Sequence, residues 1–290
     1  MGLAMLGAVS QGILWGVMVL GVFITYKLLD IADLTVDGSF ALGGSVCAVL
    51  VVSGVDPVLA IFAAMLAGMI AGAVTGFLHT VFEIPAILAG ILTQIALWSV
   101  NLRIMGKSNT PLLRVDTLFS SVTDATGLPQ NVASIIVGLI FAILIIVALY
   151  WFFGTEIGSA CRATGNNEAM VRALGVDTKV TKMIALTLSN GLVGLSGGLI
   201  CESQGYADIG MGTGAIVIGL AAIVIGEVLG RLTPGKLRSF GSRLTAAVVG
   251  SVVYFLIRAI VLQLGMDAND MKLISAVIVA LALCIPVVWE

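Results

Sequence analysis

Side chains able to do chemistry are few in this chain and gather at a handful of places. Asp30, Asp33 and Asp37 crowd beside Thr35, Gly38 and Ser39, between two long apolar runs. Gln94 and Asn101 flank Trp98 inside another apolar run, and Asn190 belongs to the small, polar string Ser189–Gly198. Glu202, Gln204, Tyr206 and Asp208 cluster just before Gly210, Gly212 and Gly214. Acids and amides at membrane depth are costly unless they face protein or a watery cavity, and they commonly mark solute or ion paths. Asp33, Thr35, Asp37, Gln94, Asn190 and Glu202 are therefore the candidate path residues. The competing role for Gln94 is a hydrogen bond to a neighbouring helix. For the 30–39 stretch it is a plain loop at the membrane surface.

Other chemistries find little support. The single histidine, His79, stands near Glu83, where a satisfied polar helix end competes with a proton relay. Cys47, Cys161, Cys201 and Cys284 lie far apart without CxxC spacing, which argues against a zinc site or a disulfide framework. The glycines after Asp208 are not a phosphate loop, because no GxxxxGK[ST] string occurs anywhere. ATP binding by that route is excluded.

The elements that hold these residues follow from composition. The chain has 290 residues, of which 59% are hydrophobic and only 10% charged. Soluble domains carry about 25% charged residues, so this chain has too little polar surface to face water throughout. The 35 glycines suit close helix packing in a bilayer, and the long continuous runs exclude a barrel. A net charge of −2 with scattered charges gives no nucleic-acid footprint. The expectation is an all-α polytopic membrane protein forming one transmembrane domain over 1–290. Spans of about 20 residues are expected near 10–29, 39–54, 57–79, 85–105, 131–153, 182–203, 212–230, 244–264 and 271–288, about nine in all. Gly68, Gly72 and Gly76 put one face of the third span against a neighbour.

Lysine and arginine set the orientation. The loops 154–181 and 231–243 are the basic ones, so both are expected in the cytoplasm, with the N-terminus outside and the C-terminus inside. Arg258 is then expected to snorkel to the outer interface. Asp33–Gly44 can also be laid on Asp208–Gly219, both starting with Asp at a break and reaching Gly eleven residues on. This weak inverted repeat places a pathway where the two breaks meet.

The polar stretch Gly158–Thr178, between two apolar segments, reads as a short helix with marked ends. Asn166 or Asn167 supplies an N-cap, Glu168 suits the first turn, and Gly175 fits a left-handed stop. Ala169, Ala173 and Leu174 form a narrow apolar stripe. Such a helix serves either as a docking surface for another protein or as an ordinary interfacial connector.

Two stretches carry a resemblance to a known family. Gly158–Gly198 and Ala32–Gly44 resemble ABC-importer permeases of the branched-chain amino acid and ribose permease class. The likeness extends more weakly from about Leu14 to Ile285. It implies that the short helix lodges in a cleft of an ATPase subunit, with Arg162, Gly165, Asn166, Asn167, Glu168, Arg172 and Gly175 as the coupling residues. It further implies a second permease copy, an extracytoplasmic solute-binding protein, a multi-pass location in the cell membrane among its lipids, and ATP and Mg held by the partner rather than this chain. The ADLTVDGSF form of the break is similar to a subset associated with amino acids, aromatic ones such as tryptophan included. Ribose-type sugars or nucleosides are the alternative cargo. An ion-coupled secondary transporter and a membrane scaffold are the alternative classes.

Overall fold

A computed structural model of the chain describes residues 2–113, 115–232, 239–265, 273, 275–280 and 284. Helix α1 (Gly2–Phe23) runs into a π-helical turn, Ile24–Leu28. It stops at Asp30, which takes a left-handed φ of 54°, a conformation that Asp adopts more readily than most residues. Helices α2 (Thr35–Val52), α3 (Pro57–Thr80) and α4 (Ala86–Met105) follow. Then come the short helix α5 (Leu118–Thr126), the long α6 (Gln130–Gly154), and two short helices, α7 (Glu156–Asn166) and α8 (Glu168–Ala173). Helices α9 (Thr178–Gln204), α10 (Ala215–Leu232) and α11 (Phe240–Gln263) complete the described part. Strand β1 (Asn109–Pro111) pairs antiparallel with β2 (Tyr206–Asp208), with Asn109 opposite Asp208. The all-α expectation thus holds except for this strand pair.

Among the described residues, seven helical stretches are long and apolar enough to cross a membrane, and Ala215–Gly230 is a shorter apolar helix. These occupy the places of the first eight expected spans. The ninth, 271–288, falls mostly outside the described residues, as does much of the basic loop 231–243. The second span starts at Thr35, four residues earlier than expected; Asp33 Oδ1, just before the helix, accepts the free Thr35 amide at 2.9 Å.

Helix α9 is the central rod. Its most apolar window is 83% buried, against 28% for α4 and 39% for α3, α6 and α11, whose outer faces are left to lipid. Glycines make that burial possible. A Cβ on Gly43 of α2 would collide with the backbone of Gly194 on α9, and one on Gly68 of α3 with the Asn190 carbonyl. Gly72 and Gly76 continue the same α3 face against Leu186 and Met183 of α9, as the four-residue spacing requires. Three threonines tie α2, α3 and α4 together: the hydroxyls of Thr35 and Thr75 lie 2.7 Å apart, and Thr75 donates to Thr93 at 2.9 Å.

Gly68→Val should therefore force α3 away from α9 and lower the unfolding midpoint by the equivalent of about 1–3 kcal/mol or more. Gly7→Ala, which meets nothing within 4 Å, should leave it unchanged. Thermal unfolding of the purified variants in detergent checks both.

Candidate functional site

The helical chain is interrupted at Leu29–Leu34 and at 209–214, and the second interruption lies against the first turns of α2, which follow the first. Asn190, buried on α9, bridges the first. Its Nδ2 donates to Asp33 Oδ2 at 2.6 Å, and its Oδ1 accepts from Ser39 Oγ at 2.7 Å. Asp33 and Asn190 are both essentially inaccessible, so each polar atom there needs a protein partner, and each of these has one.

Asp37 joins the second interruption to the first. Its two oxygens accept the backbone amides of Gly214 at 2.9 Å and Ile216 at 3.0 Å, at the start of α10. A carboxylate at a helix N-terminus satisfies free N–H groups and opposes the helix dipole. Gly212 lies against the Asp37 carbonyl so closely that a Cβ would not fit. The Asp33–Gly44 and Asp208–Gly219 stretches, matched by sequence as a weak repeat, are thus brought into direct contact.

A small polar cleft of about 50 Å³ opens here, lined among others by Asp37, Gln94, Trp98, Asn101 and Thr213. Gln94 was expected to face the interior, yet it is half-buried and makes no hydrogen bond among the described residues. Trp98 beside it is 50% exposed. Asn101 is buried; its Nδ2 donates weakly to the Gly38 carbonyl at 3.4 Å, and its Oδ1 has no partner. Glu202 lies elsewhere. It is buried near the far end of α9, where it accepts from the Leu118 amide at 2.7 Å and from Cys47 Sγ at 3.4 Å. There it anchors α5.

The 154–181 stretch contains two helices rather than one. Asn166 ends α7, and Asn167 caps α8, accepting from Met170 N at 3.0 Å. Gly175 closes α8 at φ 85°, as its left-handed role requires. Arg162 and Gly165 sit on α7 and turn into the bundle. The Arg162 guanidinium stacks on Phe240 at 5.6 Å, while Gly165 lies against Leu28 of the π-helical turn. On α8, Val171 is buried and Met170 and Leu174 are exposed. The apolar stripe of Ala169, Ala173 and Leu174 therefore points outward.

Glu168 is the fastener of α8. Its Oε2 accepts from Lys182 Nζ at 2.7 Å, and its Oε1 accepts from Arg172 Nη2 at 2.7 Å and Thr178 Oγ1 at 3.0 Å. The Lys182 hydrogen bond, with help from Thr178 and Arg172, holds its carboxyl below the usual glutamate range. Both Lys182 and Thr178 belong to α9, so α8 is pinned to the central rod. Lys179 adds a link from α9 to Glu83 at 3.3 Å. His79 Nδ1 lies 2.8 Å from the Ile84 carbonyl in the α3–α4 turn, which fits the satisfied polar end.

Sequence reasoning passed over Thr75, Thr93 and the role of Lys182. Thr75 stands among glycines that signalled close approach, but nothing in the chain order announces its partners on α2 and α4.

A bundle of long apolar helices broken at buried acids, with a capped helix fastened outside it, is that of a polytopic membrane protein. The family described as branched-chain amino acid transport system / permease component matches residues 4–284. The chain belongs to that family and is a multi-pass cell-membrane permease component of an ABC-type transport system. It is 38% identical over 274 residues to a tyrosine transport system permease protein of Clostridioides difficile, covering 94% of this chain and 88% of that one. It is 32% identical over 278 residues to an uncharacterized protein of Rickettsia prowazekii, covering 95% of each. A ribose import permease protein of Escherichia coli K12 is 30% identical over 168 residues, covering 57% of this chain and half of that one. No solved structure matches the chain.

Asn190→Ala should destabilise the fold by about 1–3 kcal/mol, because it leaves the buried Asp33 Oδ2 and Ser39 hydroxyl without a partner; denaturant titration measures this. Because the folded pKa of Glu168 is depressed, its support of α8 is present above the unfolded value of about 4.3 and is lost as pH falls through the lower folded value. Hydrogen exchange across 166–175 should therefore accelerate as pH drops below about 4, after correction for intrinsic rates.

Proposed function

We propose that this chain is the membrane-spanning subunit of an ABC importer for amino acids, aromatic or branched-chain. The observation that carries the coupling role is α8. It is short, capped and exposed, presents Met170 and Leu174, and is fastened by Glu168 to the most buried helix. An ATPase subunit docked on Asn166–Gly175 gains a direct hold on α9. Of the coupling candidates, Arg162 and Gly165 act from behind, seating α7 against the bundle. ATP and Mg belong to the partner, and this chain contributes no cofactor and no bond-making step.

In this reading residues 1–290 form one transmembrane domain of nine spans, with α7 and α8 in the cytoplasm. The 106–130 segment on the opposite side, which carries β1 and α5, is the rest for an extracytoplasmic solute-binding protein. A second copy of the chain packs against the face bearing Gln94 and Trp98, because an unbonded carboxamide at membrane depth is costly beside lipid. The two copies enclose the path lined by Asp37, Gln94 and Asn101, while Asp33, Thr35 and Asn190 hold the broken helix in shape. ATP binding elsewhere biases the pair between outward- and inward-facing states. The tyrosine-transport relative supports amino acids as cargo. The ribose relative keeps sugars as the second reading, over a smaller share of the chain.

Co-reconstitution with its ATPase and binding protein in proteoliposomes tests the proposal. ATP-dependent uptake of labelled L-tyrosine is expected, with no ATP hydrolysis by the chain alone. Glu168→Lys breaks both ion pairs of α8 and should reduce uptake at least about tenfold by unfastening α8 from α9, while the protein stays folded because such exposed pairs are worth only about 0–1 kcal/mol each. Normal uptake by that variant would sink the coupling role, and uptake of ribose but not tyrosine would favour the second reading.

A further inference from the structure

At the end of the bundle remote from α8 lies a second, larger cavity of about 700 Å³, walled by α1, α2, α9, α10, α11 and the 206–214 segment. That volume is in the range of small-molecule sites, about 300–1,000 Å³. Its walls carry opposite charges. Arg258 of α11 comes from one side and Asp208, at the end of β2, from another.

Neither charge has an ion pair among the described residues. Arg258 is half-buried rather than out at the interface, and it has no ion pair among the described residues; its one recorded partner is the Phe255 ring, 5.8 Å away. Asp208 accepts from the Gly210 amide at 2.8 Å and from Asn109 Nδ2 at 3.5 Å, and no cation pairs with it among the described residues. Trp15, on the same wall and 8% exposed, has an indole N–H with no acceptor. The Gln11 and Gln204 side chains also line the cavity and make no hydrogen bond among the described residues. Between these polar groups the wall is apolar and aromatic, including Phe40, whose ring stacks on Trp15 at 4.7 Å. A part-buried cation, a carboxylate and an unmet N–H converge on one space, where a single ligand of complementary charge would satisfy all three in place of water.

We propose that this cavity, contained within one subunit, binds a zwitterionic amino acid with an aromatic or apolar side chain. Arg258 takes the carboxylate, Asp208 the ammonium, and the Trp15–Phe40 wall the side chain. The proposal rests on the amino-acid reading above for the cargo, but the charges argue for it separately. The guanidinium fork matches a carboxylate with two donors, whereas a sugar would offer hydroxyls but no opposite charge to either group. The site adjoins the Asp37–Gln94 cleft across Thr213, which lines both, so a solute held within each copy would sit beside the path between copies.

Equilibrium dialysis of the purified full chain in nanodiscs, with L-tyrosine as probe, tests this without the ATPase. Saturable binding is expected in the millimolar range or tighter. Tyramine, which lacks the carboxylate, should bind about 10- to 100-fold more weakly, as should tyrosine to Arg258→Gln. Arg258→Lys, which keeps the charge without the fork, should fall between them, and it guards against a folding defect in the glutamine variant. Absence of saturable tyrosine binding to the wild type overturns the site. So does unchanged binding by Arg258→Gln or equal binding of tyramine; in those cases Arg258 serves the lipid interface. ATP-dependent tyrosine uptake that persists alongside any of those results leaves the importer reading standing. Tyrosine binding without ATP-dependent uptake would keep the site and sink the importer.

Discussion

A carboxylate at the depth of a bilayer is tolerated only where protein donors or a watery cavity meet it. Asp33 and Asp37 meet that condition in different ways, and the architecture follows from the difference. Asp33 is satisfied by the Asn190 amide and the start of its own helix, which ties the first break to α9. Asp37 is satisfied by the start of α10, which ties the first break to the second. Two breaks that would each be unstable alone thereby stabilise one another.

The same constraint explains the glycines. For Asn190 to reach both Asp33 and Ser39, α9 must come to backbone distance of α2 and α3. Gly43, Gly68 and Gly194 remove the side chains that would keep them apart. Van der Waals contact along these seams replaces the hydrophobic effect, which offers little between helices already in lipid. Small residues and a few hydrogen bonds are thus one device: the glycines bring the backbones close, and the amide and hydroxyls fix the register.

Much of this was legible in the chain, because its signals were local. Continuous apolar runs marked the first eight spans, the spacing of Gly68, Gly72 and Gly76 marked a shared face, and Asn167 and Gly175 marked the ends of α8. Residues whose roles depend on distant partners were not legible. Glu202 read as a path residue because it is an acid near a polar cluster, whereas its partner is a backbone amide of α5, 84 positions back. Arg258 read as a snorkelling cation, since nothing in its own helix shows that α1, α9 and the 206–214 segment enclose a cavity beside it. Gly158–Thr178 read as one helix because Gly165 and Asn166 are compatible with either a loop or a helix end. The strand pair β1–β2 is three residues long on each side, too short to leave a pattern.

One consequence follows from where α9 keeps its two acid-mediated fastenings. Near its first turn Lys182 grips α8, and near its last turn Glu202 grips α5. With 27 residues, α9 is a stiff strut roughly 40 Å long at 1.5 Å per residue. A strut pinned at both tips needs no chain of intermediaries to report a displacement, since tilting it at one membrane face tilts it at the other. The surface that meets α8 and the surface around α5 thus lie at the two ends of one continuous helix.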